Sequence, residues 1–248
     1  MLKYIILGII QGLTEFLPVS SSGHLVIIQR LFGMTEEAVA VSVALHLGTV
    51  LALVIFFFKD ILNLFRNIKL MSYIVIVTLI TGVIGISGKD FFERLFSSPR
   101  LVAVALIITG IILILTKRLM EKRRDTLNIK DAFILGLTQG IAIIPGISRS
   151  GTTISTLLFR GLDRQTAFRF SFLASIPAVF GAVILEAKDI GLACNIGAGN
   201  LVIGFIFSLL TGLLSLGILK AILSKAKLHY FGYYCIIIAV ITLLFMRA

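Results

Sequence analysis

Two short stretches hold most of the residues that could do chemistry. The first, "ILGIIQGLTEFLPVSSSGH" over residues 6–24, places Gln11, Glu15, Ser20, Ser21, Ser22, Gly23 and His24 in an otherwise apolar run. The second, "ILGLTQGIAIIPGISRSGT" over residues 134–152, ends in Gly146, Ser148, Arg149, Ser150, Gly151 and Thr152. A helix restarting at "SSSGH" or "SRSGTT" presents free backbone N–H groups and its positive dipole end. Ser and Gly there allow close backbone approach, so a phosphate cradle follows. Arg149 adds a planar fork of donors that can bind phosphate oxygens in pairs. Its structural alternatives are an ion pair with Glu15 or a side chain reaching to the membrane interface. Glu15 lies four residues after Gln11, so both face the same way on a helix. Glu15 could ligate a divalent cation, with Gln11 supplying a carbonyl oxygen, or could serve as a base. His24 follows Ser21 by three residues, one turn on and within reach of its hydroxyl; a capping or buried histidine is the alternative. Spacing alone leaves the nucleophile open among Ser20, Ser21, Ser22 and water, and no G-x-S-x-G pattern is present. His46 reads as a core or pore-lining residue, and Glu36 and Glu37 as solvated charges at a hairpin end.

The elements that must position these residues are set by composition. Of 248 residues, 58% are hydrophobic and 14% charged, with a mean hydropathy of +1.08. A soluble domain is near half apolar and a quarter charged. The excess runs along the whole chain, so residues 1–248 read as one polytopic, all-α membrane domain. Gln11 and Glu15 interrupt the apolar start and no A-x-A site follows, which excludes a signal peptide. The net charge of +11 does not point to nucleic acid, because the basic residues occupy short loops between apolar runs. Cys194 and Cys235 lack C-x-x-C spacing and read as ordinary small apolar residues.

A membrane crossing needs about 20 largely apolar residues. Six runs approach that length: 38–58, 70–88, 100–117, 168–187, 199–221 and 231–247. Two further apolar regions, 3–32 and 132–160, are broken by Pro, Gly and Ser, and each reads as a re-entrant helix hairpin. The order is hairpin, three spans, hairpin, three spans. Under that order, loops 59–69, 117–131, 160–169 and 220–230 carry fifteen of the 23 Lys and Arg, the opposite side carries seven, and Arg149 lies in the second break. The basic side is cytoplasmic, and the cluster "KRLMEKRRD" needs no other function.

At a constant offset of 128, Ile6, Leu7, Gly8, Gln11, Gly12, Ser20, Ser22 and Gly23 meet identical residues, and Pro18 and Pro145 differ by one place. Three spans separate the hairpins, so the halves, about 1–120 and 130–248, enter from opposite faces. The expectation is an inverted-topology repeat with its site near the midplane. The physics alone gives a phosphate-binding site with an acid, a histidine, an arginine and serines. Hydrolysis and transport both remain open at this point.

"QGLTEFLPVSSSGH" followed by "PGISRSGTTIS", with "LHLGTVLALVIFF" (45–57) and "FGYY" (231–234), resembles the undecaprenyl-diphosphate phosphatase family, the integral membrane class linked to bacitracin resistance. The resemblance implies removal of the terminal phosphate of a polyprenyl diphosphate at the outer side of the cytoplasmic membrane. It also implies a divalent cation (Mg2+ or Ca2+) and recycling of the carrier lipid for peptidoglycan and cell-wall synthesis. Glu15, Ser21, His24 and Arg149 match the family's proposed active-site positions. Gln11 matches its first acidic position, where Glu also occurs. Where the family often has Arg after "YY", this chain has Cys235. The partners expected are the lipid substrate and the bilayer, with room for a homodimer and none for nucleic acid. The rival reading is a transporter or flippase of a phosphorylated lipid or small anion.

Overall fold

Proline and serine set the first two helices. Leu17, which precedes Pro18, takes an extended backbone (φ −64°, ψ 144°) and ends α1 (Leu2–Phe16), as the residue before proline must leave the helical region. Ser20 then accepts the Gly23 N–H and starts α2 (Ser21–Leu31). The second broken region repeats this plan. Asn128 and Asp131 form a reciprocal capping box that opens α8 (Ile129–Ile141). Ser148 accepts the Gly151 N–H to open α9 (Arg149–Phe159).

The computed structural model describes residues 1–34, 38–96, 98–118, 124–187 and 197–245. Glu36, Glu37, Cys194 and the middle of the basic cluster, 119–123, lie outside the described residues. Between the hairpins run α3 (Ala38–Phe56), α4 (Phe58–Leu64), α5 (Ile68–Ser87), α6 (Lys89–Phe96) and α7 (Pro99–Leu115). After the second hairpin come α10 (Arg164–Ala187), α11 (Ala198–Ser224) and α12 (His229–Phe245).

Four of these helices are long and apolar enough to cross a membrane: Val39–Phe56, Ile68–Ser87, Arg164–Leu185 and Ala198–Ser224. The other two runs expected to span form α7 and α12, with 17 described residues each. That falls short of the ~20 that a full crossing takes. Large apolar side chains stand exposed in stripes, such as Val75, Leu79, Val83 and Ile86 on α5 and Val202, Ile206, Leu210 and Leu214 on α11. Such continuous stripes belong against hydrocarbon, and the chain is a multi-pass membrane protein.

Close backbone approach holds the hairpins in place. A Cβ added to Gly8 would lie 2.5 Å from the Gly204 carbonyl oxygen, and one on Gly12 would lie 2.0 Å from Thr211 Oγ1. Only glycine lets α1 sit this near α11, and Ser215 Oγ completes the contact by donating to the Gly12 carbonyl at 2.8 Å. On the other side α8 packs on α5, where Thr81 Oγ1 donates to the Gly136 carbonyl at 3.2 Å. Phe16, Phe57, Phe168 and Phe172 form an aromatic core beneath the first hairpin, two of the pairs edge-on, one tilted and one stacked.

At the mouth of the second hairpin, Arg124 places its fork on Asp131, both N–O distances 2.7 Å, and Arg160 Nε adds a third donor at 3.1 Å. Burial pushes the Asp131 carboxyl up, but Arg124, the Asn128 N–H and Arg160 outweigh it. Its pKa therefore lies below the usual carboxylate range.

Candidate active site

The two breaks touch. A Cβ on Gly23 would lie 3.3 Å from Gly146 Cα, and one on Gly151 would lie 3.1 Å from Pro18 Cβ. Ser150 Oγ donates to the Leu17 carbonyl at 3.3 Å. Gly146 has φ +95°, a left-handed conformation open to glycine. Its carbonyl accepts Thr109 Oγ1 of α7 at 3.0 Å, and the same hydroxyl accepts the Ser148 N–H at 3.0 Å. Thus α7 fixes the second break against the first.

Glu15 is the centre of the arrangement. It sits in the last turn of α1, buried, and three donors, from Arg149, Ser21 and Gln11, surround its carboxylate. Arg149 pairs with Oε1. Ser21 Oγ donates to Oε2 at 2.6 Å, Gln11 Nε2 donates to it at 3.0 Å, and His46 Nε2 of α3 lies 3.8 Å away. The short O–H···O⁻ contact is a charge-assisted bond. Ser21 and Arg149 hold equivalent places, each the first residue of a helix that restarts after a break. A helix leaves the N–H groups of its first turn without intrahelical acceptors, and the first side chain of each restart, Ser21 and Arg149, donates to this one carboxylate. The arrangement can hold an anion and can take the Ser21 proton.

The remaining residues divide clearly. Ser20 and Ser148 cap their helices, with Ser22 Oγ and Ser150 Oγ 3.3 Å from them respectively. Thr152 is buried, and its Oγ1 has no hydrogen-bond partner among the described residues. The same holds for Gln11 Oε1, an acceptor left open beside Glu15. No group of three His, Cys, Asp or Glu converges on a metal position among the described residues.

One contact expected from spacing is not made. His24 does not bond Ser21: its Nδ1 lies 2.8 Å from the Ser20 carbonyl oxygen and its Nε2 lies 2.8 Å from Tyr234 Oη. The carbonyl four residues back captures the ring, and the Ser21 hydroxyl donates to Glu15 instead. His46, read from sequence as core or pore-lining, is half-buried and stands beside the Glu15 carboxylate, a place that suits a lining residue. Tyr234 was missed. Its one signal was a hydroxyl-bearing ring in the apolar "FGYY" run. Cys235 beside it is buried, with Sγ 3.6 Å from the Pro18 carbonyl oxygen.

Comparison with known proteins places this geometry in company. The sequence model of the family described as bacitracin resistance protein BacA matches residues 4–241. An undecaprenyl-diphosphatase of Halothermothrix orenii is 43% identical over 98% of this chain and 96% of its own length. One of Carboxydothermus hydrogenoformans is also 43% identical, with the same coverage. Undecaprenyl-diphosphatase 1 of Shouchella clausii is 38% identical over 100% of this chain and 97% of its own.

Proposed function

Since this chain belongs to the bacitracin resistance protein BacA family, we propose that it hydrolyses undecaprenyl diphosphate to the monophosphate, which returns the carrier lipid to cell-wall synthesis. The observation that carries this reading is the meeting of Ser21 Oγ and Arg149 on the buried Glu15 carboxylate, where two helix starts converge. A carrier of phosphorylated lipids would need the arginine, but it has no use for a serine hydroxyl donated to a carboxylate.

Arg149 and the free N–H groups at Ser21, Ser22 and Ser150 bind the terminal phosphate and offset the charge that builds during in-line displacement. Ser21 Oγ attacks the terminal phosphorus while Glu15 Oε2 takes its proton. The Oγ–P bond forms, the bridging P–O bond breaks, and the electron pair leaves on the lipid monophosphate. Water then cleaves the phosphoserine, which releases inorganic phosphate and restores the hydroxyl. The prenyl tail stays in the bilayer.

The residues present fit a divalent cation of the kind brought in with a phosphate substrate. Mg2+ is commonly held by one or two carboxylates plus substrate oxygens. Glu15 and the open Gln11 Oε1 would be its protein ligands. The cation would neutralise charge on the diphosphate.

The finer topology belongs to the same proposal. Six crossings and two re-entrant hairpins, in halves of about 1–120 and 130–248, form an inverted repeat in the cytoplasmic membrane, with the site open to the outside. The offset of 128 between Ser20 and Ser148, and between Ser21 and Arg149, supports it. So do the matching cap bonds at the two breaks. The experiment is phosphate release by purified protein from a long-chain prenyl diphosphate, with and without EDTA. Release that EDTA abolishes and added cation restores is expected; no release with cation present overturns the reading.

A further inference from the structure

Tyr234 lies in the first turns of α12, with its ring stacked on His24, centroids 5.7 Å apart and planes 4° from parallel. Its Oη is 2.8 Å from His24 Nε2, and the other ring nitrogen, Nδ1, is 2.8 Å from the Ser20 carbonyl oxygen. A carbonyl oxygen only accepts, so Nδ1 carries the hydrogen. In the neutral ring Nε2 then holds the lone pair, and the phenol O–H is the donor. The far end of this chain is backbone. Ser20 adopts φ 66°, a left-handed conformation that few non-glycine residues use. Its carbonyl also accepts the His24 backbone N–H at 3.2 Å.

We infer that Tyr234 is a positioning residue for hydrolysis that acts through His24: by holding Nε2 it keeps the imidazole in one plane, so that the Nδ1–H stays on the Ser20 carbonyl and steadies the turn that presents Ser21. The inference rests on the phosphatase reading above. A phenol suits the task because it donates and accepts. When His24 takes up a proton at Nε2, the new N–H finds the same Oη as acceptor, so the ring keeps its place in both states. An apolar neighbour would leave the buried Nε2 without a partner, and a second carbonyl would suit only the charged ring. Phe16, Phe57, Phe168 and Phe172 form the core nearby without a hydroxyl among them. Tyr234 thus supplies a polar handle from a helix 210 residues away in sequence.

Tyr234→Phe keeps the stacked ring and removes only Oη. Two measurements test the inference on the full chain. In 15N-labelled protein there are three histidines to resolve, and His24→Gln identifies the His24 signals. The unaltered protein should show a slowly exchanging His24 Nδ1–H, and Tyr234→Phe should lose or broaden that signal, because a ring held at one nitrogen alone can turn off the Ser20 carbonyl. Turnover of a long-chain prenyl diphosphate should fall roughly tenfold in Tyr234→Phe, the order expected for one lost hydrogen bond in the reacting state, with KM within about twofold. Adding Tyr234→Phe to His24→Gln should cost no further turnover, because the tyrosine then has nothing to position; a purely structural role would lower both backgrounds alike. An unchanged Nδ1–H signal, an unchanged kcat, or an additive double variant overturns the inference. Failure of the unaltered protein to release phosphate overturns the phosphatase reading, a result distinct from the Nδ1–H measurement, which needs no substrate.

Discussion

Replacing Glu15 by glutamine changes few atoms and should disable the site. The carboxylate accepts from Arg149 on one oxygen, and from Ser21 and Gln11 on the other. An amide has one acceptor oxygen and one donor nitrogen. If its NH2 faces Arg149, two donors confront each other; if it faces Ser21 and Gln11, the serine loses its acceptor. No rotamer satisfies both. Removing one partner of a buried ion pair costs ~3–5 kcal/mol. The lower end applies here because the Arg149 side chain keeps 16% of its surface exposed while Glu15 keeps 6%. Loss of a positioned proton acceptor costs a further ~10²–10⁴-fold in rate. Glu15→Gln should therefore unfold at lower temperature in detergent and retain under about 1% of phosphate release. In Glu15→Gln/Arg149→Met no charge is left uncompensated, so most of the lost stability should return with none of the activity. Stability losses that simply add in the double variant, or a Glu15→Gln protein with a tenth of normal turnover, would refute the argument that this pair is both the structural and the chemical centre.

Ser21→Ala should lower turnover by orders of magnitude, while diphosphate binding, read by competition, changes little because a neutral hydrogen bond is worth about 0.5–1.5 kcal/mol. Ser20→Ala and Ser22→Ala should be milder, and the opposite order would name a different nucleophile. Gly12→Ala puts a methyl 2.0 Å from Thr211 Oγ1, whereas Gly82→Ala meets nothing within 4 Å. Thermal unfolding should show a loss of about 1–3 kcal/mol for the first and none for the second. The lowered pKa of Asp131 stabilises the fold above the unfolded carboxylate value, and this is lost as pH falls through the folded value. Asp131→Asn should therefore be less stable at pH 7 and converge on the unaltered protein in strong acid, as followed by pH-dependent unfolding. Impermeant thiol reagents on intact cells, in a Cys-free background, should label Lys89→Cys and Gly197→Cys but not Lys69→Cys or Lys225→Cys; the reverse pattern would overturn the topology.

Local rules carried the hairpins well. Pro18 and Pro145 mark the breaks, and Ser20 and Ser148 cap the restarts, because proline and capping chemistry act within a few residues. The pairing of Glu15 with Arg149 was visible as an alternative, since two opposite charges in apolar surroundings seek each other. The bond from Ser21 to Glu15 was one of two left open, since either His24 or Glu15 could take the serine proton. Spacing favoured His24, but helical register places its Nδ1 on the Ser20 carbonyl, and a tertiary contact decides the rest. His46 and Tyr234 arrive from α3 and α12, and nothing in a linear pattern records which face of a distant helix packs on the break. The lengths of α7 and α12 also differ from their apolar runs, because flanking residues form separate helices or lie outside the described residues.

The offset of 128 sets Ser21 opposite Arg149 and Glu15 opposite Ile143. Two identical half-chains assembled about a two-fold axis would carry the same residue at both places. Such a pair would hold two hydroxyls or two guanidiniums, and two carboxylates or none. One hydroxyl, one guanidinium and one carboxylate at a single centre require the halves to mutate separately, which a single joined chain permits. Under the proposed inverted repeat, covalent fusion thus gives the two matching breaks distinct places, one for the serine hydroxyl and one for the guanidinium.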